Sequence, residues 1–433
     1  MPSDAGSVYL EVYGCWLSKA EAEVVKTLIE RQGWRIAPSP EAADAVIVFT
    51  CAVRQDTERK MLRIIRRLAE KTIANGNRLV VAGCLARVRP AKIARIAPHA
   101  DLVSPDSLEE IPRILRAEER QVLLTGVAPR CTMPRYGGGV RYVVPIATGC
   151  LGSCAFCVGK YARPMLRSYP RDLVVRAVKR AVEKGAKEVY LTAQDVAAYG
   201  LDIGSSLPEL LEKILSEVEG DYRIRIGMME PSLLLRMLDD MAELMGDPRV
   251  YKYVHAPCQS CDDEVLKLMN RRYSYDDFKE IVSVFRRRYP EITIATDVIV
   301  GFPGETWEAF QTTLKRLEEL EIDKIHLARY TLRPFTMAAY MKQLPDSEKK
   351  RRSRIAMRRV MLIMLRRNMR YLGARVKALV TDDAGRSLTG RTDNYKPVIL
   401  PRGYAEPGEH VIAEIIGCTP VDLRGRLTAV NVF

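Results

Sequence analysis

Three apolar runs in the first third of the chain end on cysteine. SVYLEVYGC (7–15), ADAVIVFTC (43–51) and NRLVVAGC (77–84) each read as a strand. Between them lie two helical patterns: SKAEAEVVKTLIERQG (18–33), with Ser18 as N-cap and Gly33 as C-cap, and a charged stretch over about 54–74. Strand–helix–strand–helix–strand predicts an open parallel sheet. The carboxyl ends of parallel strands share one edge, where sites form, so Cys15, Cys51 and Cys84 are expected to meet in space. Three thiolates around a cavity can hold a 4Fe–4S cluster with one iron left free. The plainer alternative is three buried structural cysteines.

The alternation resumes from about 140 to 340. The strand RYVVPIA is followed by strand patterns within 187–200, 222–231, 249–260, 292–306 and 323–336, with helices at 207–219, 262–270, 275–288 and 307–319 between them. About six β/α units predict an incomplete barrel whose site lies at the strand C-termini. Gln194, Asp195, Glu230, Gln259, Asp297 and Arg329 fall at or just beyond such ends. They are candidate binding residues, or helix caps and loop ties. In VGFPGET, Gly301 and Gly304 would let the backbone approach a cofactor closely.

The first of these strands runs into TGCLGSCAFC, where Cys150, Cys154 and Cys157 have the spacing C-x3-C-x2-C and Phe156 precedes the last cysteine. A closed zinc site would want a fourth ligand. Three close cysteines suit a 4Fe–4S cluster with one open iron, and the spacing resembles the radical S-adenosylmethionine (SAM) superfamily. That resemblance implies SAM on the open iron and its reductive cleavage to a 5′-deoxyadenosyl radical. Cys258 and Cys261 form a second short pair, read as small thiols near the pocket or as a zinc or redox pair. Cys131 and Cys418 stand alone and are read as structural.

Beyond 345 the pattern changes twice. KKRRSRIAMRRVMLIMLRRNMRYLGAR (349–375) intersperses apolar positions with arginines and reads as an amphipathic helix with one packed and one positive face. Arg358, Arg359, Arg366 and Arg367 are its candidate phosphate contacts. The remaining segment has short β-rich runs with Gly/Asp turns, which predicts a compact all-β barrel of about 60 residues. Arg391, Asn394, Tyr395 and Lys396 are candidates for an RNA-facing loop. The alternative is a domain that only packs on the barrel.

Composition sharpens this picture. The 433 residues carry a net charge of +14, which suits a polyanionic partner, and are 47% hydrophobic, enough for large cores. Ten cysteines are few for a disulfide scaffold of this length, and four histidines argue against an imidazole-rich zinc hydrolase. The start, MPSDAGSVYLEVYGC, lacks a basic head and apolar run, and no apolar run approaches the roughly 18 residues of a membrane span. A cytoplasmic protein is expected.

Nearly the whole chain resembles the radical SAM methylthiotransferases, in particular the archaeal and eukaryotic branch acting on threonylcarbamoyladenosine in tRNA. The resemblance rests on Tyr13-Gly14-Cys15, on Thr50 to Arg54, on Gly83-Cys84, on the cysteine loop with Ala162-Arg163, on LTAQDVAAYGLDIG, on TDVIVGFPGET and on TGRTDNYKPV. Two stretches depart from the family pattern. HAPCQSC has Cys261 in place of glycine, and RPFTMAAYM stands where relatives often have a G-T-P-A motif.

The resemblance implies an N-terminal methylthiotransferase domain (1–130), a radical SAM core with its basic helix (136–368) and a TRAM RNA-binding domain (369–433). The fold class is then α/β: an open parallel sheet, an incomplete (β/α)6 barrel and a small OB-like β-barrel. It further implies two 4Fe–4S clusters, on Cys15/Cys51/Cys84 and on Cys150/Cys154/Cys157, with SAM held near Phe156, Gln194, Asp195, Glu230, Asp297, Gly301 and Arg329. The expected partners are tRNA, an external electron donor and a sulfur source, and the expected state is a monomer. Alternatives are an isopentenyladenosine substrate, a radical SAM reaction of another outcome, and a noncatalytic iron–sulfur RNA-binding protein.

Overall fold

The computed structural model describes residues 6–126 and 131–430. The three cysteine-ended runs form strands Ser7–Val12, Ala45–Thr50 and Arg78–Gly83, adjacent and parallel, at the centre of a six-stranded sheet. Ala45–Thr50 is buried along its whole length, as a strand covered by helices on both faces must be. Three further strands, Arg35–Ile36, Asp101–Val103 and Val122–Leu123, extend the edges. They are too short to carry a readable period.

Six strands build the central unit: Arg141–Pro145, Glu188–Thr192, Arg223–Ile226, Tyr253–His255, Thr293–Val300 and Lys324–Arg329. They pair in parallel as two groups of three. Parallel bridges Ile224–Val250 and Met228–His255 join the groups. The result is the incomplete barrel that the alternation predicts, with helices Arg171–Glu183, Leu207–Glu217, Tyr275–Arg288 and Trp307–Glu319 on its outside.

Helix Asp346–Met369 then lies along the barrel, and the chain ends in a closed five-stranded barrel in the order 375–383, 387–392, 397–401, 423–430, 410–418. The helix is not simply apolar on one face and basic on the other. Its packed side includes Lys349, Arg352 and Arg367, each paired with an acid. Among the described residues no helix is long and apolar enough to cross a membrane.

Candidate active site

The sheet edge gathers the first triad. Cys15 caps helix Trp16–Arg31, Cys51 follows Thr50 directly, and Cys84 opens a short helix after Gly83. None of the three is fully buried, unlike cysteines that merely fill a core. Burial pushes the Cys51 thiol up and carries Cys84 up to about 11; Cys51 also feels the charge of Cys15, and Cys84 that of Cys51 and Cys15. Such thiols give up their protons to a metal rather than to water.

Arg163 sits against this triad, with its charge acting on Cys15, Cys51 and Cys84. It comes from the other domain, just after the cysteine loop. Its guanidinium is 2% exposed, forks onto both carboxylate oxygens of Glu21 and donates to Thr148 Oγ1 at 2.8 Å. Glu21 lies on the helix that Cys15 caps, and Thr148 lies two residues before Cys150. One buried bidentate pair therefore locks the two cysteine regions together. Arg333, from beyond the last barrel strand, makes a second tie to Glu58 at 2.6 Å and also faces Cys51.

The second triad lies in a loop shaped to present sulfur. Gly152 N–H donates to Cys150 Sγ at 3.2 Å, Arg271 Nη1 donates to Cys154 Sγ at 2.7 Å, and the Gly159 and Lys160 amides donate to Cys157. Donors aimed at sulfur suit thiolates. The donor set therefore fits an iron–sulfur cluster, with cysteines as its only protein ligands. Burial carries the Cys150 thiol up to about 12. Phe156 packs edge-on to Phe302, centroids 6.4 Å apart, and fastens the loop to the GFPGET turn.

Several polar candidates lie around this loop. Gln194 Oε1 accepts the Gly149 N–H at 2.7 Å. Asp195 is buried and accepts the Ala197 and Glu230 amides at 3.1 and 3.0 Å; burial lifts its carboxyl to about 7. Glu230 caps its helix through Leu233 N–H and pairs with Arg271 at 3.0 Å. Cys154, Asp195, Glu230 and Arg271 line one cavity of about 330 Å³ beside the loop. Asp297 lies deeper in the barrel, bound to His255 at 2.8 Å, and Gln259 bridges to the same strand. Arg329 is exposed at the rim.

Gly301 differs from the sequence expectation. Its φ is +74°, and a Cβ there would lie 2.7 Å from Lys349 Cγ. The glycine makes room for helix Asp346–Met369, and its amide donates to Glu305. Gly304 likewise admits Leu268. Cys258 and Cys261 are buried with their sulfurs 3.7 Å apart, as small core thiols.

Family models match three segments: Radical SAM superfamily over 144–317, "Uncharacterized protein family UPF0004" over 7–105 and TRAM domain over 369–428. A Pyrococcus horikoshii protein named "Probable threonylcarbamoyladenosine tRNA methylthiotransferase" is 38% identical, covering 92% of this chain and 94% of its own. The Homo sapiens threonylcarbamoyladenosine tRNA methylthiotransferase is 31% identical over 94% of this chain and 72% of its own. The chain belongs to the threonylcarbamoyladenosine tRNA methylthiotransferase family.

Among solved structures, the radical SAM methyltransferase TsrM from Kitasatospora setae aligns with a TM-score of 0.56 at 15% identity, over 77% of this chain and 74% of that one. That is a likeness of fold. For a methylthiotransferase family member, the Radical SAM domain brings an iron–sulfur cluster and SAM.

The long helix and the TRAM domain of this family member correct four RNA-contact expectations. Arg367 is buried and pairs with Asp323 at 2.9 Å; Lys396 is buried and reaches the same carboxylate at 3.3 Å. Asn394 donates to Glu291 O and to the Tyr371 hydroxyl, both at 2.6 Å. Tyr395 is buried against Tyr190, Tyr251 and Tyr253 of the barrel. Asn394, Tyr395 and Lys396 dock the domain, because the barrel supplies the acids and aromatics they need, whereas Arg367 packs its own helix onto the same acid. Arg391 stacks 4.7 Å over Tyr395. Arg358, Arg359 and Arg366 are exposed, the last two paired with Glu318 at 3.0 and 2.7 Å. Sequence reasoning assigned no role to Arg163, Arg271 or Arg333. The Ala162-Arg163 pair was a visible signal for the first; the other two lie in loops whose relation to the cysteines is purely tertiary.

Proposed function

We propose that this protein is a tRNA methylthiotransferase that replaces the C2 hydrogen of threonylcarbamoyladenosine, next to the anticodon, with a methylthio group. The observation that carries this reading is Arg163, one buried side chain that ties the Cys150/Cys154/Cys157 loop to the Cys15/Cys51/Cys84 edge. It ties the two cysteine regions to each other. When bound, two 4Fe–4S clusters with SAM would supply hydrogen abstraction at Cys150/Cys154/Cys157 and a sulfur donor at Cys15/Cys51/Cys84. The protein's own part is positional. Arg271 and the loop amides steady the sulfurs of one triad, Arg163 balances the charge of the other, Gln194 fixes the loop, and Asp195 ties the Ala197 and Glu230 amides beside it. An external electron donor and a sulfur source complete the requirement, and the exposed arginines of helix Asp346–Met369 offer phosphate contacts to tRNA.

The test is mass spectrometry of nucleosides from threonylcarbamoyladenosine-bearing tRNA, after incubation with anaerobically reconstituted protein, SAM, reductant and sulfide. The expected result is a nucleoside heavier by one methylthio group. Cys157→Ala should abolish SAM cleavage, whereas Cys51→Ala should keep SAM cleavage and lose methylthiolation. Full product from Cys51→Ala would end the assignment of separate roles.

A further inference from the structure

Among the described residues, the concave face of the barrel holds cations with no directly paired acid, although Asp297 and Asp382 act on Lys324 and Arg391 from further away. Val144, Val189, Ile224, Val254, Ile294 and Ile325 pack into the helix-covered core, so their chain neighbours face inward. Register sets Tyr190 beside Arg225 and Ala295 beside Lys324. Tyr395 enters the floor from the C-terminal barrel, its ring 4.8 Å from Tyr251 and 5.0 Å from Tyr253. Arg225 lies 5.2 Å over Tyr190 and Tyr253 and 5.8 Å over Tyr395, and Arg391 stacks on Tyr395.

Among the described residues, no carboxylate forms an ion pair within 4.0 Å with Arg225, Lys324 or Arg391. The Arg391 Nε is buried without a hydrogen-bond partner. Nearby acids are already engaged, Asp297 by His255 and Glu188 by Arg141. Burial and the charges of Arg391 and Arg225 lower the Lys324 ammonium to about 8. Aromatic faces offset part of this crowding, but clustered, partly desolvated cations are costly unless an anion joins them. His255, Asp297 and His326 have ligand atoms within 4.8 Å of one another, yet three unpaired cations beside them oppose a divalent ion.

We propose that Arg225, Lys324 and Arg391 form an oxyanion site on the inner face of the barrel that receives the carboxylate of the threonylcarbamoyl group and so selects the substrate. This rests on the methylthiotransferase reading above. Threonine joined through its amine keeps a free carboxylate, whereas an isopentenyl substituent is apolar and uncharged. A tRNA phosphate shares the oxyanion chemistry, and the experiment separates the two.

Anticodon stem-loops carrying threonylcarbamoyladenosine, its methyl ester or isopentenyladenosine would be titrated by fluorescence anisotropy against reconstituted full-length protein, with product read by mass spectrometry. The parent should bind acid over ester by about tenfold, the scale of one charge-assisted hydrogen bond. Arg225→Met and Lys324→Met should lose most of that ratio while binding the ester as the parent does, and Lys324→Arg should keep it. Because the readout is a ratio within one protein, a partly unfolded fraction cancels; melting curves check the fold. Equal weakening of acid and ester would identify a phosphate and overturn the carboxylate assignment. A parent that binds acid and ester alike would overturn the site itself. Acid preference without methylthio product would refute the reaction while leaving the site standing.

Discussion

Cys150, Cys154 and Cys157 come from one loop, whereas Cys15, Cys51 and Cys84 come from the ends of three strands. The loop carries its own donors, with glycine and lysine amides aimed at its sulfurs. The strand-end triad instead depends on sheet register and on Arg163, borrowed from the other domain. A local site is exposed to changes in its own backbone; an assembled site is exposed to anything that shifts one strand or loosens the domain contact.

The largest effect that would test this contrast is at the shared point. Arg163→Met leaves Glu21 buried and unpaired, so a stability loss of about 3–5 kcal/mol is expected in urea unfolding. Iron should be lost from both triads. Full iron loading in this variant would break the idea of an interlock. Next come two glycines, one per triad. Gly149 has φ +85° and a Cβ would fall 1.8 Å from Met165 O; Gly83 has φ +96° and a Cβ would fall 2.9 Å from Thr50 O. Alanine at either should cost at least about 1–3 kcal/mol in backbone strain and lower iron per chain by about half, each variant sparing the other triad's spectroscopic signal. Equal loss from both triads in either variant would show that the two sites do not load independently.

Smaller effects sharpen the comparison. Arg271→Met removes a charged donor from Cys154, worth about 1.5 kcal/mol. It should shift the reduction potential of the loop cluster and leave the strand-end cluster in place. Deprotonation of Lys324 at about pH 8 should erode acid-over-ester binding by roughly tenfold between pH 7 and 9. The sign follows from the ammonium being the binding form, present below its pKa and lost above it. Asp297, His255, His326, Arg225, Arg391 and Lys396 are the other charged and titratable groups around it, and burial lowers the Lys396 ammonium as well. Smallest in stability are Arg358→Ala, Arg359→Ala and Arg366→Ala, expected within about 0.5 kcal/mol. Each should still flatten the salt dependence of tRNA binding by about one unit of slope per lost phosphate contact.

The cysteine loop and the strand-ending cysteines were legible because local spacing and strand periodicity survive in a single sequence. The six barrel strands were legible for the same reason. The two- and three-residue edge strands were not, since no period fits in so few positions. The docking turn was misread for a physical reason. Asn394 and Lys396 look like exposed loop residues, yet Glu291 and Asp323, more than seventy positions away, provide their partners. Arg352 and Arg367 were similarly absorbed into a packed helix face by Glu305 and Asp323. Polarity predicts exposure only until another element brings the matching charge. Arg271 has no signature of its own, because its role is defined by a sulfur far back in the chain.

Tyr395, held at a φ of +64° at the tip of its turn, makes the C-terminal barrel more than a handle for RNA. Its ring is a tile in another domain's floor, and Arg225 and Arg391 both rest on it. Cutting the chain after the long helix would therefore leave a hole beneath the reaction chamber, open to bulk water. A graft from a distant relative would fit only if Tyr190, Tyr251 and Tyr253 travelled with it, so the two domains are bound to vary in step.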